Sequence, residues 1–357
     1  MWHMKEILLH AKQFYASDVH LVHRVAPLLR ISGEIRQVKG IPLTSENLAL
    51  LLKEIATSKQ IESFEKTQQL CFSINWEGIG RLRVSVYYHS LIPELSIRVC
   101  ESNIRPLNEL GLPPILTELA RLPHGLILVT GPTGVGKTTT LNAMVDIINQ
   151  EQRKKIVMIE DPVEFVHQNA KSIVIQQEVL TDTPSFQAAL VSVLRQDPDV
   201  IVIGEMRSLE TIETALTAAE TGHLVLATLH TPDSVQSIQR IQTVFPSSQQ
   251  HLVNMQLANS LQAVLSQRLL PRADGKGRVL AFETCIVNYA IRNKIRERNS
   301  HLIYHDIQSG SRSNMQLMDQ SLLQLYERGE ITYDTAISNA RDTKLIQTRG
   351  GATYSES

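Results

Sequence analysis

The chain has 357 residues, enough for two or three domains that each bury a core. Hydrophobic residues make up 43% and charged residues 20%, which excludes large-scale disorder. The formal net charge of -1 argues against nucleic acid as the main track, because a phosphate backbone asks for a basic excess. Cys71, Cys100 and Cys285 are far apart and form no C-x-x-C pair, so a zinc ribbon is unsupported and a reducing cytoplasm fits.

Residues Met1–Glu6 lack the basic-then-apolar pattern of a secretory signal, and no apolar run reaches the ~18 residues of a spanning helix. Any membrane association would come through partners. Met4–Tyr15 carries apolar residues at helical spacing, and Asp18–His23 alternates like a strand. Pro27–Gly33 reads as a second strand ending in a turn, Leu48–Glu65 as a helix, and Arg81–Tyr88 with Leu95–Val99 as paired strands. This stretch, 1–100, is expected to be a small α+β domain. Residues 101–114 are rich in Pro, Gly and Asn and read as a linker whose few apolar residues dock on something.

After the linker the pattern becomes strand alternating with helix. Leu126–Thr130, Ile156–Ile159, Val200–Ile203 and Leu224–Ala227 are short, continuous apolar strands, and Lys137–Asn149 is a helix. Such strands imply a parallel sheet covered on both faces. Pro232–Gln267 reads as mostly helical, a β-then-helix segment follows, and 346–357 is expected to be a flexible tail. The α/β domain is thus placed at 115–345, with a helical C-terminal region.

Gly131-Pro132-Thr133-Gly134-Val135-Gly136-Lys137-Thr138 matches G-x-x-x-x-G-K-[ST] at every fixed position, between an apolar strand and a helix. The glycines let backbone N–H groups turn inward around phosphate oxygens, and the helix aims its positive end at them. Lys137 then reaches the β- and γ-phosphates, the Thr138 hydroxyl ligates Mg²⁺, and Thr139 is counted with Gly131–Thr138 among the nucleotide-binding residues. Two strand ends that follow carry carboxylates: Glu160, Asp161 and Glu164 after the first, Glu205 after the second. Gly204 stands where a usual Walker B has Asp, which leaves Glu205 as the negative group near Mg²⁺ or water. Glu160, Asp161 and Glu164 are then available to position or activate the attacking water. Glu160 and Asp161 equally suit a turn before Pro162. His230 ends a candidate core strand and suits a γ-phosphate sensor, although a histidine there is often structural.

Four elements occur in order: Gly131–Thr138, Glu160–Phe165, Gly204–Arg207 and Thr228–Thr231. Together they resemble the secretion-ATPase superfamily, in particular the type IV pilus retraction ATPases of the PilT family. The resemblance runs from about Ala16 to about Gly329. It implies an N-terminal PAS-like domain, a RecA-like ATPase core, and a homo-hexamer that hydrolyses ATP with Mg²⁺ to power pilus retraction and twitching motility. It implies a cytoplasmic motor held at the inner membrane by a pilus platform protein, without nucleic acid. By the same resemblance Glu164 is catalytic, Glu205 sits in an atypical Walker B, and His223 and His230 form a histidine box. Arg83 and Arg98 match arginines that reach a neighbour's nucleotide, with Arg81 a weaker match; a solvated strand face is the plain alternative for Arg83.

Ala290–Glu297 resembles a helix linked to retraction in that family, with Lys294 where leucine is usual. Gln177 replaces a common arginine and Ser208 an aspartate. The nearest rivals are an extension or secretion ATPase of the same superfamily, many of which carry a paired-cysteine insertion absent here. A nucleic-acid translocase and a non-hydrolysing scaffold stand further off.

Overall fold

Two hydrophobic periods divide the chain, alternation by two in its first part and continuous apolar strands between helices in its second. The computed structural model describes residues 1–31, 33–100 and 104–350. It is a mixed α/β chain of two compact units. One comprises residues 1–104, 161–167 and 178–182; the other comprises 105–160, 168–177 and the chain from 183 onward.

The first unit runs α1 (Met4–Gln13), β1 (Asp18–Leu21), β2 (Leu28–Ile31), β3 (Glu34–Gln37), α2 (Ser45–Ile55), α3 (Ser58–Thr67), β4 (Gln69–Trp76), β5 (Gly80–His89) and β6 (Ile92–Val99). Its antiparallel sheet has the order β3-β2-β1-β6-β5-β4. Along β5, Leu82, Val84 and Val86 are buried while Arg81, Arg83 and Ser85 are half-buried, the alternation of a sheet with one covered face. Ile7, Leu8, Leu48, Leu51, Ile55 and Phe64 from the helices share a core with that face. The expected single helix over Leu48–Glu65 is two helices. Thr57 interrupts it, because its hydroxyl and Gln60 form a capping box that starts α3 afresh. Strands β3 and β4 carry weaker alternation and were not expected. The Asp18–His23 strand stops at Leu21, and the turn of the second strand includes Ser32, outside the described residues.

The second unit runs α4 (Ile115–Ala120), β7 (Gly125–Thr130), α5 (Lys137–Glu151), β8 (Lys155–Glu160), β9 (Ile173–Glu178), α6 (Phe186–Val193), β10 (Val200–Ile203), α7 (Leu209–Glu220), β11 (Leu224–Leu229), α8 (Ser234–Val244), α9 (Gln250–Ser260), β12 (Leu261–Pro271) and β13 (Arg278–Ile286). Helices α10 (Tyr289–Arg296), α11 (Ile303–Ser309), α12 (Met318–Glu327), α13 (Tyr333–Asn339) and α14 (Lys344–Gly350) complete it. The sheet order is β13-β12-β7-β11-β10-β8-β9; β12 through β8 are parallel and β13 is antiparallel to β12. Every residue of β7, β10 and β11 is buried, as a sheet covered on both faces requires. The connection after β7 runs to one side of the sheet and the connection after β11 to the other. That reversal opens a crevice at the carboxyl ends of these adjacent strands.

Three expectations change here. Pro232–Gln267 is helical only to Ser260: Leu261–Gln267 belongs to β12, whose buried Ala263, Val264 and Leu265 lie between β7 and β13. A short apolar run reads alike for buried helix and buried strand, and its place in the sheet decides. In the stretch taken as a linker, Leu107 and Leu112 are buried in the core of the second unit, while residues 101–103 lie outside the described residues. Helix α14 extends beyond 345 and buries Ile346, because that side chain completes a cluster with Leu322 and Ala336; the rest of the expected tail, 351–357, lies outside the described residues. Among the described residues no helix is long and apolar enough to cross a membrane.

Candidate functional site

The loop between β7 and α5 is built by its glycines. Gly131, Gly134 and Gly136 have φ of 136°, 81° and 91°, which L side chains rarely adopt. A Cβ on Gly131 would also lie 2.4 Å from the Gln267 carbonyl oxygen on β12. Pro132, Thr133 and Val135 fill the turn between them, and Lys137, Thr138 and Thr139 open α5. The buried Lys137 Nζ donates to the carbonyl oxygens of Gly131, at 2.7 Å, and Pro132, at 2.9 Å. Burial pushes its pKa down against the opposing pull of the Glu205 carboxylate.

Sheet register brings three more segments to this loop. Thr130 pairs with Leu229, and Ile203 pairs with both Ala227 and Ile159, so β7, β11, β10 and β8 end side by side. The turn after β10 is fixed by Gly204 N–H donating to Ile159 O at 2.8 Å and Thr228 Oγ1 donating to Gly204 O at 2.5 Å. A Cβ at Gly204 would press to 3.1 Å from that Ile159 oxygen, which favours glycine where a carboxylate is usual. Glu205 Oε1 lies 3.1 Å from His230 Nε2 and 2.5 Å from Arg207 Nε. His230 Nδ1 lies 3.4 Å from Lys137 Nζ. The tautomer with its proton on Nε2 satisfies both neighbours: it donates to Glu205 and accepts from Lys137. Burial raises the Glu205 pKa, but Arg207 and His230 outweigh it and hold the carboxyl below its usual value.

His223 does not join this cluster. It precedes the opposite end of β11, where its Nδ1 lies 2.9 Å from Ala218 O. Glu160 is buried and accepts from Gln176 Nε2 on the neighbouring strand β9 at 2.9 Å, which ties it into the sheet.

On the other side of the loop is a cavity of about 290 Å³, lined by Gly136, Thr139 and Thr140 together with Arg105, Glu109, Leu110, Leu112, Arg278 and Leu280. Arg278 Nη1 reaches Gly134 O at 3.4 Å. Sequence reasoning missed this wall; the one signal was the apolar residues inside the Pro- and Gly-rich stretch before α4.

Glu164, Arg83 and Arg98 belong to the first unit. Asp18, Arg98, Arg83 and Ser73 stand in register across β1, β6, β5 and β4. Two guanidinium groups directly opposite repel. Asp18 and Glu164 flank them: Arg98 Nε donates to Asp18 Oδ1 at 3.0 Å, and Arg83 Nη1 is 3.9 Å from Glu164 Oε1. Burial opposes ionisation of Asp18, but Arg98 and Ser17 lower its pKa overall. Arg81 is engaged elsewhere. Its Nη2 donates to Glu178 Oε2 at 2.9 Å and its Nε to Val163 O at 3.0 Å.

A family model described as Type II/IV secretion system protein matches residues 3–353. The type IV pilus retraction ATPase PilT of Pseudomonas aeruginosa is 41% identical over 336 residues, covering 94% of this chain and 97% of that protein. A twitching motility protein of Neisseria gonorrhoeae is 42% identical over 320 residues, covering 90% and 86%. Among solved structures, the pilus retraction motor PilT with bound ADP superposes with a TM-score of 0.92 at 44% identity, over 98% of this chain and 100% of that one.

Proposed function

The chain belongs to the type II/IV secretion system protein family and is an ATP-hydrolysing enzyme of the pilus-retraction kind, and we propose that it works as a homo-hexameric ring motor at the pilus base. The observation that carries this reading is the meeting of Lys137, Glu205 and His230 at the carboxyl ends of adjacent parallel strands, under a glycine loop. In this reading the first unit is PAS-like and the second RecA-like.

The residues fit a nucleoside triphosphate. Backbone N–H groups of Gly134 to Thr138 cradle phosphate oxygens at the start of α5. Lys137 exchanges its two carbonyl partners for phosphate oxygens, a stronger, charge-assisted pairing. The cavity beside Thr139 and Thr140 takes the base, its Leu110, Leu112 and Leu280 supplying apolar walls and Arg105, Glu109 and Arg278 the polar contacts. Thr138 and Glu205 would hold Mg²⁺, an ion that needs few protein ligands because it keeps most of its waters, and it would supply neutralisation of developing phosphate charge.

Glu164 takes the proton of the attacking water, and phosphate leaves ADP. His230, held by Glu205, senses the γ-phosphate. Arg83 and Arg98 extend toward a neighbouring subunit's nucleotide, whose phosphates relieve their mutual repulsion. Closure of the first unit on the neighbour turns hydrolysis into movement of an inner-membrane platform protein, with the motor on the cytoplasmic side. The test is complementation. In a piliated strain lacking its own retraction motor, the chain restores surface motility and Lys137→Ala does not. Restoration by Lys137→Ala, or none by the intact chain at equal expression, contradicts the reading.

A further inference from the structure

The last residue of β9 belongs with the first unit and is a buried carboxylate that the reaction as described does not use. Glu178 is 3% exposed, yet its two oxygens are heavily engaged. Oε1 accepts from Ser73 N at 3.0 Å and Thr181 Oγ1 at 3.0 Å. Oε2 accepts from Val163 N at 3.1 Å, from Arg81 Nη2 at 2.9 Å and from the Ser73 hydroxyl. Arg81 closes the ring, because its Nε donates to Val163 O at 3.0 Å. Both polar atoms of the Val163 backbone are therefore held, the N–H by Glu178 and the carbonyl by Arg81. Val163 immediately precedes Glu164.

We infer that Arg81 and Glu178 are positioning residues that fix the backbone carrying Glu164, so that its carboxylate is presented in one place. The inference rests on Glu164 being the general base. An ion pair to a buried carboxylate with both oxygens satisfied is a rigid mount, and loss of the arginine would leave that carboxylate short of its charged partner. The same contacts give Arg81 a task within its own chain, distinct from that of Arg83 two residues on, whose guanidinium faces the Glu164 carboxylate itself at 3.9 Å. Misplacing a catalytic group by about an ångström lowers turnover on the order of 100-fold while leaving ligand affinity in place.

The experiment compares Arg81→Lys, Arg81→Met, Glu178→Gln and Glu164→Gln in the full chain. It measures phosphate release against ATP concentration, and binding of a fluorescent ATP analogue. The expected result is a kcat lowered about 10- to 100-fold in Arg81→Met and Glu178→Gln. KM and analogue affinity should stay within about twofold, with partial recovery in Arg81→Lys. In a Glu164→Gln background, Arg81→Met should add little further loss, because a mount without its base has nothing to position; general damage to the fold would multiply instead. If Glu178→Gln does not fold, Arg81→Lys and Arg81→Met decide. Normal kcat in these variants beside an inactive Glu164→Gln overturns the positioning role alone, and so does a multiplicative loss. Normal kcat in Glu164→Gln overturns the base assignment and the inference with it.

Discussion

Glu205 illustrates how single side chains reach their roles here. It occupies the position after a glycine that replaces the customary acid, and it is kept ionised by Arg207 and His230 despite partial burial. A carboxylate whose folded pKa lies below its unfolded one stabilises the fold above the unfolded value, and that contribution fades as pH falls through the folded pKa. Wild-type protein should therefore be more stable than Glu205→Gln near neutral pH, and the gap in Tm should close below about pH 4. Thermal unfolding of both proteins from pH 7 to pH 3 checks the sign; a gap that widens with acid would mean the carboxylate is not held in its charged form. The turn of the loop was legible because Gly131, Gly134 and Gly136 encode its backbone conformation. The separation of His223 from His230 was not, since a strand length decides which end of a sheet a residue occupies. The pairing of Arg81 was likewise illegible, because its partner Glu178 lies 97 residues away in sequence.

Elements decide what surrounds the loop. The apolar strands β7, β8, β10 and β11 were readable because burial on both faces leaves no alternation to confuse. Strand β12 was read as helix, although it is the element that supports the loop from behind: Ser266 Oγ accepts from Thr130 at 2.9 Å and Gln267 Nε2 donates to Thr140 at 2.7 Å. The Gln267 carbonyl also explains why position 131 must be glycine. Gly131→Ala should cost about 1–3 kcal/mol of stability from its positive φ, and more if the strand cannot shift. ATP-analogue binding should fall at least tenfold with it, because the loop and β12 cannot both keep their places. Unchanged binding and stability in Gly131→Ala would show that the close approach to β12 is dispensable. The stretch before α4 was read as linker from its Pro and Gly content, yet Leu107 and Leu112 anchor it in the core, so composition described its turns and not its docking.

At the scale of the whole molecule, the groups proposed for one reaction are divided between two compact units of the chain, with Lys137, Glu205 and His230 in the second and Glu164, Arg83 and Arg98 in the first. A ring whose subunits share sites gives such a division a purpose. Two inactive proteins, Arg83→Ala and Lys137→Ala, should then regain a measurable fraction of turnover when mixed, since some interfaces combine an intact loop with an intact arginine. Verified mixed rings without any recovery would confine Arg83 to its own subunit. The sequence suggested a boundary in the Pro- and Gly-rich stretch 101–114, whereas the first compact unit also takes in residues 161–167 and 178–182; the proposed ring is not written in any one segment, because it would depend on surfaces that meet only between chains.

The most direct test of the account is steady-state phosphate release with ATP and Mg²⁺ across protein concentration, with Glu164→Gln as the control. Turnover per subunit that rises steeply with concentration and is lost on the order of 100-fold or more in Glu164→Gln is the predicted result. Turnover independent of concentration, or full activity in Glu164→Gln, would contradict a ring ATPase with shared sites.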